Sequence, residues 1–181
     1  MRYESESKFE AHIRTLIQRH ITDLEPSIYA LQNKKAVDII ICKDAPQPEL
    51  FFIEVKYHKS KHGRLGFGGS KGGGFQPEII GRKPAFFESN LRWALASEDH
   101  EAGKVLFLSS EVLRKYLSGG QLGEKFNNIQ SKIFREQPWL TEEEFVQQLC
   151  TWFGVASGCT AGQKTLPSQV QAPSIAHGSL A

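Results

Sequence analysis

Asp38, Glu54 and Lys56 are the residues whose spacing points to a reaction centre. In a β-strand, residues two apart project to the same face. Within 50–57, therefore, Glu54 and Lys56 share one face while Ile53, Val55 and Tyr57 take the other. The run 36–42 is β-branched at most positions, too short for a helix core and too continuous for an edge, so it reads as a central strand. A hairpin turning about Pro46 sets Asp38 directly opposite Glu54, with Cβ atoms roughly 4.5–5.5 Å apart. Two carboxylates buried together are costly unless a cation neutralises them. Hard oxygen donors suit Mg²⁺, with Mn²⁺ as a substitute. Such an ion can activate water, orient a phosphate and stabilise charge building on its oxygens, which is the chemistry of phosphodiester cleavage. Lys56 would assist that charge or help deprotonate the water. The plainer alternative is an ordinary solvated Glu54–Lys56 pair on a polar strand face, because an ExK tripeptide is common.

These residues need elements to position them. Over 5–21, Phe9, Ile13, Leu16, Ile17 and Ile21 recur at helical spacing, which predicts an amphipathic helix with Glu6 and Glu10 one turn apart beside the apolar stripe. A short strand is expected over 28–31, a turn at Asn33-Lys34-Lys35, and the two strands already described over 36–42 and 50–57. Pro84 suits a first helical turn, and Phe86, Phe87, Asn90, Leu91, Ala94 and Leu95 read as a second amphipathic helix carrying Trp93. A fourth strand is expected over 104–108. A helix capped by Ser110 should follow, running through Tyr116 and Leu117 to Gly119-Gly120. Thr141 and Glu144 form a capping box, with Leu140 and Phe145 as a hydrophobic staple, which predicts a last helix.

Val37-Asp38, a spacer of 15 residues and Glu54-Val55-Lys56 together resemble the PD-(D/E)xK nuclease signature, with valine in place of a proline that has no catalytic duty. The resemblance spans about Glu6 to Leu117, and the order helix, three strands, helix, strand is similar to that superfamily's core. It implies an α/β protein with a restriction-endonuclease-like αβββαβ core, a central mixed sheet flanked by helices, and extra C-terminal helices. It further implies that Asp38, Glu54 and the Val55 backbone carbonyl hold Mg²⁺ and that Lys56 serves the nucleophilic water. An acid on the first helix would join them, Glu10 before Glu6. The activity implied is that of a Mg²⁺-dependent DNA endonuclease, of restriction type, cutting double-stranded DNA as a homodimer. A Holliday-junction resolvase or other structure-selective nuclease is the alternative within the class. A non-catalytic DNA-binding protein that kept the fold is the alternative outside it.

A basic flank accompanies the signature. From Lys56 to Lys83 there are seven Lys or Arg against the single acid Glu78, a local +6 in a chain of net +2, which leaves −4 elsewhere. Phosphate binding needs such an excess, because each neutralised phosphate releases counterions. The segment 58–83 also holds eight of the 16 glycines and reads as a Gly-rich basic loop. Lys59, Lys61, Arg64, Lys71, Gln76, Arg82 and Lys83 are therefore the candidate nucleic-acid contacts, against the plainer reading of a solvated connection. Gln76 faintly resembles the glutamine of the RecB-like QxxxY element, but residue 80 is Ile80. Ser70-Lys71 does not make a Walker motif. His58 and His62 read as exposed polar side chains in preference to a zinc pair.

The 181 residues, 40% hydrophobic and 23% charged, allow one well-buried core and make a second domain cramped. One domain is expected over 1–154. Residues 155–181, with Lys164 the only formally charged side chain, read as a disordered tail. No signal-like start or long apolar run occurs, so a cytoplasmic protein without membrane association is expected. Cys42, Cys150 and Cys159 are odd in number and lack CxxC spacing. They imply neither a disulfide framework nor a zinc knuckle, and Cys42 should be buried.

Overall fold

The computed structural model describes residues 3–25, 27–32, 37–60, 65–66, 80–101, 103–118 and 128–155. Most of the expected Gly-rich loop, the turn at Asn33-Lys34-Lys35 and nearly all of the expected tail lie outside these residues.

Ser5 starts helix α1 (Glu6–Ile17) by accepting a hydrogen bond from the Lys8 amide at 3.2 Å, satisfying one of the donors a helix start leaves open. Phe9, Ile13, Leu16 and Ile17 bury one stripe of α1, and a π-helical segment (Gln18–Thr22) carries Ile21 into the same core. Three strands follow, β1 (Ile28–Gln32), β2 (Ile39–Lys43) and β3 (Glu49–His58), each antiparallel to the next. After β4 (Leu65–Gly66) come α2 (Ala85–Asn90), β5 (Leu91–Ser97) and β6 (Leu106–Ser109). The described chain ends with α3 (Ser110–Arg114), β7 (Leu117–Ser118), β8 (Asn128–Ile129), α4 (Ile133–Glu136) and α5 (Glu142–Phe153).

The main sheet has the order β1-β2-β3-β5-β6 and is mixed, because β3 and β5 run parallel while the other pairs are antiparallel. A small antiparallel sheet, β4-β8-β7, accompanies it. Apolar layers lie on both faces of the main sheet. Phe9, Ile13, Ile53, Val55, Phe145 and Leu149 belong to the layer under α1 and α5. Trp93, Leu95, Leu106, Leu113, Ile129 and Phe134 belong to the other. Side chains of this size contribute about 1.5–3 kcal/mol each when fully buried.

The expected class, α/β with a mixed sheet flanked by helices and further helices toward the C-terminus, is what the chain adopts. The second amphipathic helix is a correction. It ends at Asn90, and Leu91–Ser97 pairs along β3 as a strand. With apolar layers on both faces, β5 is apolar at consecutive positions, a pattern that periodicity alone does not separate from a helix. The strand expected next appears as β6, one to two residues later. Ser109, not Ser110, caps the following helix, which stops at Arg114 because Leu117-Ser118 pairs with β8. The capping box at Thr141 and Glu144 forms as expected. Cys42 is buried. Among the described residues no helix is long and apolar enough to cross a membrane.

Candidate active site

The site lies where β2 leaves β3. Ile39 faces Ile53, Ile41 faces Phe51 and Lys43 faces Glu49. Carrying that register on by one residue brings Asp38 level with Glu54, as the hairpin reading expects. The ladder ends at Ile39, whereas β3 continues to His58, held on its other edge by β5. Alternate residues of a strand direct their backbone groups to alternate edges, so the amides of Val55 and Tyr57 face the side that β2 has vacated. A buried amide needs an acceptor. Val55 donates to Asp38 Oδ2 at 2.7 Å and Tyr57 donates to Glu6 Oε2 at 3.2 Å. Two carboxylates, one from the strand lead-in and one from α1, thus replace the missing strand.

On the face that Glu54 and Lys56 share, Glu54 is 1% exposed and Lys56 7%. Lys56 Nζ donates to Glu54 Oε1 at 2.5 Å and lies 3.9 Å from Glu6 Oε1. This burial excludes the reading of a solvated surface pair. Burial is also the main reason that the Glu54 carboxyl is pushed up to about 7. The nearby charges of Asp38 and Glu6 add to the rise, and Lys56 opposes it. Asp38 is likewise raised by burial, with Glu10 adding, while Lys56, the Val55 amide and Arg14 pull the other way. For Lys56, burial favours the neutral amine, but Glu54, Glu6 and Asp38 together outweigh it and hold the ammonium charged. Within this coupled group, Glu54 titrates near neutrality and Lys56 keeps its proton.

The two helix acids occupy different sides of the site. Glu6 touches Lys56 and β3 directly. Glu10 accepts from Arg14 Nε at 2.9 Å and Nη2 at 2.6 Å, and the same Nη2 donates to the Asp38 carbonyl oxygen. Arg14 therefore ties the Asp38 turn to α1. The Glu10–Arg14 spacing is visible in the sequence as an i,i+4 pair, but nothing local signals the third partner.

Among the described residues, no three His, Cys, Asp or Glu side chains gather closely enough to hold a metal ion by themselves. The donors that fit one are Asp38, Glu54 and the Val55 carbonyl, which lies on the same strand edge as the amide that Asp38 accepts from. All are hard oxygens. Both carboxylates sit where burial makes their lone charge unfavourable, and a two-acid set leaves the water positions that Mg²⁺ prefers to keep.

The expected nucleic-acid contacts divide. Lys59 Nζ donates to the Glu4 carbonyl oxygen at 2.6 Å and fastens the chain ahead of α1. Arg82 and Lys83 are exposed, with Lys83 in the left-handed region at φ 51°. Lys61, Arg64, Lys71 and Gln76 lie outside the described residues, as does His62. His58 is a correction. It is 5% exposed, its Nδ1 is 3.2 Å from Ser97 Oγ, and its ring packs 5.1 Å from that of Phe134. Its place at the end of β3, paired with Ser97 of β5 and packed on the Phe134 ring, accounts for this burial.

Comparison with known protein families, with curated proteins and with solved structures found no match.

Proposed function

We propose that this chain is a Mg²⁺-dependent DNA endonuclease of the PD-(D/E)xK type. The observation that carries the reading is the meeting of Asp38, Glu54 and Lys56 at the open edge of β3. The order α1, β1, β2, β3, α2, β5 supports the restriction-endonuclease-like core, as an analogy of fold. A Mg²⁺ held by Asp38, Glu54 and the Val55 carbonyl would polarise the phosphate and lower the pKa of water. Asp38 is aimed by two bonds, its carboxylate on the Val55 amide and its carbonyl on Arg14. Glu54, raised to about 7 by burial, would give up its proton to take the cation, so the ion would relieve the cost of its buried charge. Lys56, beside Glu54 and Glu6, would stabilise negative charge at the reacting phosphate or help deprotonate the water. Glu6 positions that side chain from the solvent side. The working form proposed is a cytoplasmic homodimer cutting double-stranded DNA.

The test incubates the protein with plasmid, linear duplex, single strands and a four-way junction, in Mg²⁺ and in chelator. Cleavage is expected in Mg²⁺ only, and Asp38→Ala and Lys56→Ala should each lower its rate roughly 100-fold or more with the circular dichroism of the fold retained. Discrete bands from duplex indicate a restriction-type enzyme, and selective nicking of the junction indicates a resolvase. Undiminished cleavage by both variants refutes the assignment.

A further inference from the structure

The β2–β3 hairpin is covered unequally. Ile39, Ile41, Phe51 and Ile53 are 0–4% exposed in the layer beneath α1 and α5. On the opposite face, which carries Glu54 and Lys56, Phe52 is only half-buried and Leu50 is 43% exposed. Helix α2 brings two more rings to this face. Phe86 and Phe87 lie 5.9 and 5.3 Å from Phe52 between centroids and 5.3 Å from each other, and Phe86 remains 49% exposed. Phe52 precedes Glu54 by two residues on the same strand face, a distance of roughly 6.6–6.8 Å. An aromatic patch open to solvent therefore adjoins the candidate active site.

Its surroundings are cationic. Arg82 and Lys83 are exposed immediately before α2. Glu88, the acid of that helix, is clamped by Arg114, whose Nη1 and Nη2 each donate to one of its carboxylate oxygens. The hydrogen bond from Arg114 holds the Glu88 carboxyl below its usual range, with the charges of Arg114, Lys83 and Arg92 contributing. The half-exposed Phe86 ring, packed edge-to-face against Phe52 and Phe87 and bordered by these cations, suits a nucleobase stacked on it with its phosphates on the cations. A second copy of the chain fits less well, because a two-fold contact would set one cationic margin against another.

We propose that Phe86, backed by Phe52 and Phe87, is a stacking platform for an unpaired base of the substrate, next to the phosphodiester that is cut. The inference rests on the nuclease reading for the position of the cut. It favours the structure-selective alternative within that reading over the restriction-type enzyme cutting uniform duplex, because it selects DNA with an unpaired nucleotide, such as a single strand, flap or junction arm.

The test measures binding in chelator, apart from cleavage, by fluorescence anisotropy of a labelled single strand and a blunt duplex of the same sequence. A second single strand carries 2-aminopurine, whose emission reports stacking. Wild type should prefer the single strand. Phe86→Ala should weaken that binding roughly 5- to 100-fold and abolish the 2-aminopurine response, with duplex affinity nearly unchanged, while Phe86→Trp restores both. Equal loss on both DNAs, no loss on either, or no oligonucleotide binding by wild type would overturn the platform. So would self-association in sedimentation that Phe86→Ala removes, which would assign the patch to a dimer contact. Stacking by a protein that never cleaves DNA in Mg²⁺ would leave the platform standing and refute the nuclease reading. Cleavage by a protein whose binding ignores Phe86 would do the reverse.

Discussion

Replacing Lys56 with Met keeps a long apolar stem in place but removes the ammonium 2.5 Å from Glu54 Oε1, beside a carboxylate that is 1% exposed. Deleting one partner of a buried ion pair costs about 3–5 kcal/mol, a large part of the ~5–15 kcal/mol that holds a domain together. The variant has one escape, which is to protonate Glu54. In the wild type this carboxyl is already raised from 4.5 to about 7, with Lys56 opposing the rise, so without Lys56 it must climb further. A carboxyl whose folded pKa exceeds its unfolded value contributes stability that is fully present below the unfolded pKa and is lost as pH rises through the folded pKa. For the wild type that window runs from 4.5 to about 7, and the shift corresponds to about 3 kcal/mol. For Lys56→Met the window extends above 7. The difference between the two proteins is therefore expected to be small at pH 5 and to grow to about 1.4 kcal/mol by pH 8, one pH unit above the wild-type midpoint. Urea unfolding of both proteins at pH 5, 6.5 and 8, followed by tryptophan fluorescence, measures it, and the histidine contributions cancel in the difference. A difference that is the same at pH 5 and at pH 8 would refute the buried pair as the source of the perturbation.

Mg²⁺ affinity without DNA should fall about tenfold from pH 8 to pH 6, because a proton competes at Glu54 near 7 and the raised Asp38 acts in the same sense; a flat profile by titration calorimetry would contradict this. Arg14→Met removes bonds to both Glu10 and the Asp38 carbonyl, so it should cost about 1–3 kcal/mol in urea unfolding and slow DNA cleavage. Unchanged stability would mean that the tie carries nothing. Thr141→Ala breaks the capping box of α5 and should lower stability by about 0.5–2 kcal/mol, read as a shift in thermal melting, without altering cleavage rates at a temperature where both proteins stay folded.

The site was more legible in the sequence than the sheet around it. The alternation of 50–57 fixes which side chains share a face, and a hairpin about Pro46 has one register that keeps Ile39 and Ile53 buried together, so Asp38 follows. The capping box at Thr141 was legible for the same reason, since its partners lie three residues apart. Residues 91–97 were not. Leu91, Ala94 and Leu95 satisfy helical spacing as well as strand spacing, and only the pairing with β3, more than 30 residues away in sequence, decides between them. The tie made by Arg14 has no local signal, because its second partner lies 24 positions away. The role of Glu6 has none either, because its place beside Glu10 gives no sign that the vacated edge of β3 needs an acceptor at Tyr57. Local pattern determines which side chains share a face. Which edges are left open is a property of the assembled sheet.

Titrating metal-depleted protein with Mn²⁺ at pH 8, where Glu54 is ionised, tests most directly whether Asp38 and Glu54 hold a common cation. A single ion per chain is expected in the wild type, with that site lost in both Asp38→Asn and Glu54→Gln. Wild-type stoichiometry and affinity in both variants would contradict it.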